Sequence, residues 1–345
     1  MKLRFKNCLA TTLCVFTLIA TSLTSFAQES KPVLTLENAI AAAITHSNEL
    51  SLNSKEAELL KEKMKANEGT TFYIYQNSYL QRAKNEQQRQ IIQDKVTYDI
   101  TNRYQTLILG EEELAHLKAS LAIKQTEFRN LTLQKELGLV SEVNYKLAQL
   151  EIIQLKEKIE AKTSALHNQQ DYFKLLTTKD PKDYTLDKTL NYEIFRAPGT
   201  IDSYLDDRIA TYLQYDKEMV SLAANNIIKD GDAPMAWNVY LEQKYAIESK
   251  SHTLESSQDS LKNALMTSYS SLISLEEQIA HLKMQMEILD TQLKSSALQV
   301  DLGLQTSLSH EKTSLNKMQL DYNLRQLIVN YNKLKTSIQK PWTAM

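Results

Sequence analysis

The chain has 345 residues, of which 6 are Gly and 5 are Pro; an average chain of this length carries roughly 24 Gly and 17 Pro. Sheet architectures need those residues at their turns, so a doubly wound sheet, a β-sandwich and a TIM barrel are excluded. The 42% hydrophobic and 24% charged content excludes wholesale disorder, and a net charge of −2 argues against nucleic acid as a partner.

The first segment reads as an export signal over residues 1–27. Lys2, Arg4 and Lys6 form a basic start, residues 8–19 are apolar but short for a membrane span, and Ser25-Phe26-Ala27 is a cleavage site. Cleavage after Ala27 takes the charge from −2 to −5 and removes both cysteines, Cys8 and Cys14. The exported chain then has no disulfide, thiolate metal site or cysteine nucleophile. No later stretch has the length and apolarity of a transmembrane helix.

Sparse glycines and prolines punctuate the rest. A helix is expected from near Thr35 to Gly69, then a long helix from about 80 to 137, a turn at Gly138 and a return helix to about Leu176. Pro181, Pro198 and Gly199 mark a polar connector over 181–199. A helix over 201–229 is broken by Gly231 and Pro234, and residues 238–302 read as one helix of about 97 Å. Gly303 turns the chain into a last helix that ends near Ile338. Helices this long must bury a continuous stripe against a partner. The stripe is present: Leu272, Leu275, Ile279, Leu282, Met286, Leu289 and Leu293 alternate steps of three and four. Ile100, Tyr104, Leu107, Leu114, Leu117, Leu121 and Phe128 follow the same period, with Glu111 at one seam position.

The two stripes are copies. A shift of 165 maps Tyr104 to Tyr269, Glu111-Glu112 to Glu276-Glu277, Ala115-His116-Leu117-Lys118 to Ala280-His281-Leu282-Lys283, and Leu137-Gly138-Leu139 to Leu302-Gly303-Leu304 without a gap. The expected fold is therefore all-α, in two tandem repeats of long antiparallel coiled-coil hairpins, over 28–180 and 200–340. Their tips fall at 137–141 and 302–306.

Thr35-Leu36-Glu37-Asn38-Ala39-Ile40 through Ser47-Asn48-Glu49-Leu50 resembles the opening helix of TolC-like outer-membrane efflux proteins, with Glu49 where that family has Pro. Glu136-Leu137-Gly138-Leu139-Val140-Ser141, followed by Tyr145, Ala148, Gln149 and Leu150, resembles its hairpin tip and return helix, and Asp301-Leu302-Gly303-Leu304-Gln305-Thr306 is a second tip. The resemblance implies a homotrimeric helical tube in the cell envelope. It also implies an adaptor of the membrane-fusion type docked at the tips, with an inner-membrane pump behind it.

One departure is large. The family places barrel strands between the first and the long helix of each repeat, and a spanning strand needs roughly 9–11 residues. Here the first junction has only Phe72-Tyr73-Ile74-Tyr75 as strand-like residues, and the second is about 230–237. The barrel is therefore expected to be absent. Phe72, Tyr73, Tyr75, Met235 and Trp237 are then expected to cluster at that end, where they close the tube, touch lipid or peptidoglycan, or cap the hairpin core. Without the barrel, the location is either the outer membrane and periplasm or the outer face of a single-membrane envelope.

No catalytic, cofactor-binding or metal-binding residue is expected. The six histidines show no His-x-x-x-His spacing, and the carboxylates sit beside Lys or Arg on helix faces, as Glu56 does with Lys61. At the tips Gly138 and Gly303 supply a left-handed turn residue, and Ser141 and Thr306 cap the next helix. Leu137, Leu139, Val140, Leu302 and Leu304, with Gln305, form the expected docking surface. The rival reading is an exported coiled-coil spacer or binding protein without transport activity.

Overall fold

The computed structural model describes residues 31–229 and 237–343. The expected export signal over residues 1–27, and Gly231, Pro234 and Met235, lie outside them. In chain order the elements are β1 (Val33–Leu34), α1 (Leu36–His46), α2 (Asn48–Ala66), α3 (Phe72–Glu136), α4 (Glu142–Thr177), a 3-10 turn (Pro181–Asp183), β2 (Thr185–Leu186), α5 (Ile201–Lys229), α6 (Trp237–Asp301), α7 (Ser307–Gln339) and a final 3-10 turn (Pro341–Thr343).

Three of the long helices, α3, α4 and α7, start where a hydroxyl satisfies a free amide. Thr71 Oγ1 accepts from Ile74, Ser141 Oγ from Asn144 and Thr306 Oγ1 from Ser309. The 165-residue shift holds for element boundaries as well as for side chains. It carries the start of α1 to that of α5, both ends of α3 to both ends of α6, and the start of α4 to that of α7. α3 and α6 are each 65 residues long, about 97 Å at 1.5 Å per residue.

The helices stand in a row ordered α4, α3, α7, α6, with α1 and α2 laid on α3, and α5 on α6 and α3. The apolar stripes face inward. Leu272, Ile279 and Leu289 are buried and Leu275, Leu282, Met286 and Leu293 half-buried, as are their counterparts from Ile100 to Phe128. Each fully buried leucine contributes about 1.5–3 kcal/mol of transfer free energy. Glu111 does interrupt the first stripe; it is half-buried and its carboxyl is pushed up, chiefly by desolvation. Gly110 lets α4 come close, since a Cβ there would lie 3.0 Å from Leu166 Cδ1.

Three features differ from the sequence expectation. Residues 72–75 are not strand-like but the first turn of α3, which begins eight residues before the expected position; the Thr71 cap and the inward-facing Ser78 and Leu80 carry the helix through them. The opening helix is two helices, because Ser47 leaves helical geometry and caps α2 through Leu50 N–H. Glu56 meets Asn85 Nδ2 at 3.1 Å across the α2–α3 contact.

The connector is the third. It is packed down, with Leu186 and Phe195 buried in the two core clusters. β2 pairs in parallel with β1, and Tyr104 on α3 closes the site with its hydroxyl 2.6 Å from the Leu34 carbonyl and 3.0 Å from that of Asp187. In the second half the Phe195 N–H donates to Tyr331 Oη at 2.6 Å, and Arg196 grips Glu276 through two 2.8 Å bonds. The C-terminal turn folds back as well: Lys340 Nζ and Trp342 Nε1 donate to the buried carboxylate of Asp94 at 2.8 and 2.9 Å.

Candidate functional site

The two hairpin tips are built alike. At the first, Gly138 N–H donates to Lys135 O and Leu139 N–H to Gln134 O, both at 2.9 Å. At the second, Gly303 N–H donates to Val300 O at 3.0 Å and Leu304 N–H to Gln299 O at 2.8 Å. This paired closure of the last helical carbonyls needs a left-handed residue at the glycine, and φ is +74° at Gly138 and +70° at Gly303. Nothing lies within 4 Å of a Cβ at either, so it is the backbone and not crowding that demands glycine.

The turn leucines do not fold back on their own hairpins. Leu137, Leu139, Leu302 and Leu304 are between 72% and 76% exposed. Val140 and Gln305 are half-buried, and Ser141 and Thr306 act as caps. Leu133 and Leu298, one turn before the glycines and 165 apart, are also exposed and extend each apolar patch along its helix. The sequence reading did not select that pair, although the repeat register contains it.

Below the matched leucines the two tips differ. In the first hairpin Lys135 Nζ lies 2.7 Å from Glu142 and 3.9 Å over the Tyr145 ring, which packs on Phe128 at 4.9 Å. The hydrogen bond from Lys135 holds the Glu142 carboxyl below its ordinary range. In the second, Gln305 spans Ser296 and Ser309, and His310 Nδ1 lies 3.2 Å from Ser296 Oγ. Lys312 on α7 reaches Glu127 on α3 at 2.5 Å, and this hydrogen bond is the main reason that the Glu127 carboxyl titrates low. The hairpins are thus tied to each other near their tips.

The opposite end carries the junction residues. Phe72 and Trp237, the first residues of α3 and α6, are 66% and 70% exposed. Tyr73 and Tyr75 are half-buried and Met235 lies outside the described residues. Trp237 stacks on Tyr240 at 5.3 Å. His116 is half-buried with its pKa lowered, mainly by desolvation, whereas its repeat partner His281 is exposed. Among the described residues no three His, Cys, Asp or Glu side chains converge as metal ligands, and no helix is long and apolar enough to cross a membrane.

No protein-family pattern and no curated protein matches the sequence. Solved structures do match. The Campylobacter jejuni CmeC outer membrane channel aligns over 89% of this chain and 85% of its own, with 11% identity and a TM-score of 0.60. The Vibrio cholerae outer membrane protein VceC aligns over 88% and 96%, with 10% identity and a TM-score of 0.62. The outer-membrane channel OprN aligns over 89% and 90%, with 11% identity and a TM-score of 0.64. The chain has the fold of these outer-membrane channel proteins.

Proposed function

We propose that this chain is an exported component of a TolC-like efflux or export system. Three copies form a hollow helical conduit whose hairpin tips dock a periplasmic adaptor, which couples it to a membrane pump. The observation that carries this reading is the pair of level, repeat-related tips, each with exposed leucines around a left-handed glycine. An isolated spacer has no need of two matched apolar ends. The row α4, α3, α7, α6 also has open outer edges. Val143 and Leu147 on α4, and Met284 and Ile288 on α6, are exposed, so α6 of one copy can continue the row against α4 of the next. The work is conduction and docking, not bond chemistry.

Two measurements test the reading. Light scattering of the exported chain is expected to give the mass of a trimer; a monomer at all concentrations, with or without an adaptor, overturns the tube in favour of a spacer. Crosslinking from the tips to a co-expressed adaptor is expected to disappear in Gly138→Pro and in Leu304→Asp while helicity stays high. Crosslinking that survives both substitutions removes the tips from the docking role.

A further inference from the structure

The end opposite the tips has an unusual composition. Residues 69–81 contain no charged side chain, although at 24% charged a stretch of thirteen residues would carry about three. Residues 237–241 at the start of α6 are uncharged as well. Ser78 and Leu80 face inward, but the rest of this apolar character does not: Phe72, Ile74, Tyr79, Trp237, Leu241 and Tyr245 are all exposed. The pattern occurs in both halves, since the shift of 165 places Phe72 on Trp237, Ile74 on Val239 and Tyr75 on Tyr240.

The two uncharged starts lie at one level. α7 is bound to α3 through Arg325–Glu112 and Lys312–Glu127, and to α6 through Lys317–Asp290. These ties hold α3 and α6 parallel and in step to within about one helical turn, so Phe72 and Trp237 mark the same end of the molecule.

We propose that this end seats in the headgroup layer of a neutral lipid bilayer, as an interfacial foot that does not span it. Trp and Tyr favour that layer because their rings are apolar and their N–H or O–H stays hydrated. The uncharged starts of α6 (residues 237–241) and α3 (residues 72–81) rise about 7.5 and 15 Å, enough to cross one headgroup layer of roughly 5–8 Å but not the bilayer. Charge favours a neutral surface over an anionic one: Lys61, Lys63 and Lys65 at the end of α2 are balanced by Glu58 and Glu62 on the same helix and by Glu68 in the turn that follows it. This proposal does not depend on the trimer or on adaptor docking.

The test is flotation of the exported chain with phosphatidylcholine vesicles, after mass spectrometry has located its N-terminus. The parent is expected to float, and to remain bound in about 1 M salt, where the screening length is ~3 Å. The double variant Phe72→Ser, Trp237→Ser is expected to partition at least about tenfold less with unchanged circular dichroism. In Trp342→Phe, which leaves Trp237 as the only indole, emission is expected to shift blue on vesicles and to be quenched by lipids brominated near the headgroup. Equal flotation of parent and double variant, or Trp237 emission that ignores lipid, overturns the proposal. So does binding confined to anionic vesicles and lost in salt, or a blue shift that follows protein concentration without lipid, which assigns the face to a second copy.

Discussion

The Tyr331 hydroxyl donates to Glu276 at 2.9 Å while it accepts the buried amide of Phe195, so one phenol on α7 joins α6 to the connector. Tyr104 does the corresponding work in the first half between α3, β1 and the segment after β2. Burial pushes both phenols up to about 12. A folded-state pKa above the unfolded value of about 10 means that the folded chain holds these protons more tightly. The stabilisation is complete below pH ~10 and is lost as pH rises toward ~12, by as much as a few kcal/mol per tyrosine. Chemical denaturation measured from pH 8 to 11.5 should show this loss, and Tyr104→Phe with Tyr331→Phe should flatten it.

The two phenylalanine variants should differ at neutral pH. Tyr331→Phe leaves the Phe195 N–H without its acceptor inside the core and should cost about 1–3 kcal/mol. It also strips Glu276 of one donor, although Arg196 still holds that carboxylate through two bonds. Urea unfolding of the parent, Tyr331→Phe, Arg196→Ala and the double variant measures the coupling, which should be well above zero because both partners meet on Glu276.

At Gly110 the helical advantage of a side chain opposes the closeness of α4. Gly110→Ala gains about 1 kcal/mol of helix propensity and pushes only the flexible end of Leu166, so thermal stability should change little. Gly110→Val adds branched bulk to the same gap and should cost about 1–3 kcal/mol. A valine variant as stable as the alanine variant would show that the α3–α4 contact opens at Gly110 at little cost.

Asp94 is buried and accepts from Lys340 and Trp342 at the C-terminal end of the fold, with a longer 3.3 Å bond from Gln90 on its own helix. Removing residues 340–345 should destabilise the fold by about 1–3 kcal/mol by leaving that carboxylate poorly satisfied. Asp94→Asn in the truncated chain should recover part of the loss. Thermal melts of the four combinations distinguish an unpaired charge from the mere loss of Trp342 packing on Tyr212.

The long helices, their heptad stripes, the glycine turns and the duplication were all legible in the sequence, because each leaves a local or periodic trace. Leu272 and Ile279 are buried for the reason that their spacing gives. The connector was not legible: Leu186 and Phe195 are buried by elements far away in sequence, and Pro181, Pro198 and Gly199 looked only like punctuation. Phe72-Tyr73-Ile74-Tyr75 was misread because aromatic and β-branched residues favour strands in isolation, whereas the Thr71 cap and the packing of Ser78 and Leu80 hold the segment helical. Of the tips, the turn glycines and leucines were visible. The Gln305–Ser296–His310 contacts were not, since they need the two arms brought side by side.

The equal length of α3 and α6 restricts how this chain can change. One residue inserted into either helix would move its tip by about 1.5 Å and turn everything beyond it by about 100°, taking the apolar stripe off its partner and leaving one tip out of line with the other. Only insertions or deletions near a multiple of seven, made in both helices and matched in α4 and α7, preserve seam and level together. Length is therefore inherited as a paired trait in this molecule, free to vary in the connector and at the ends but bound to its duplicate along the rods.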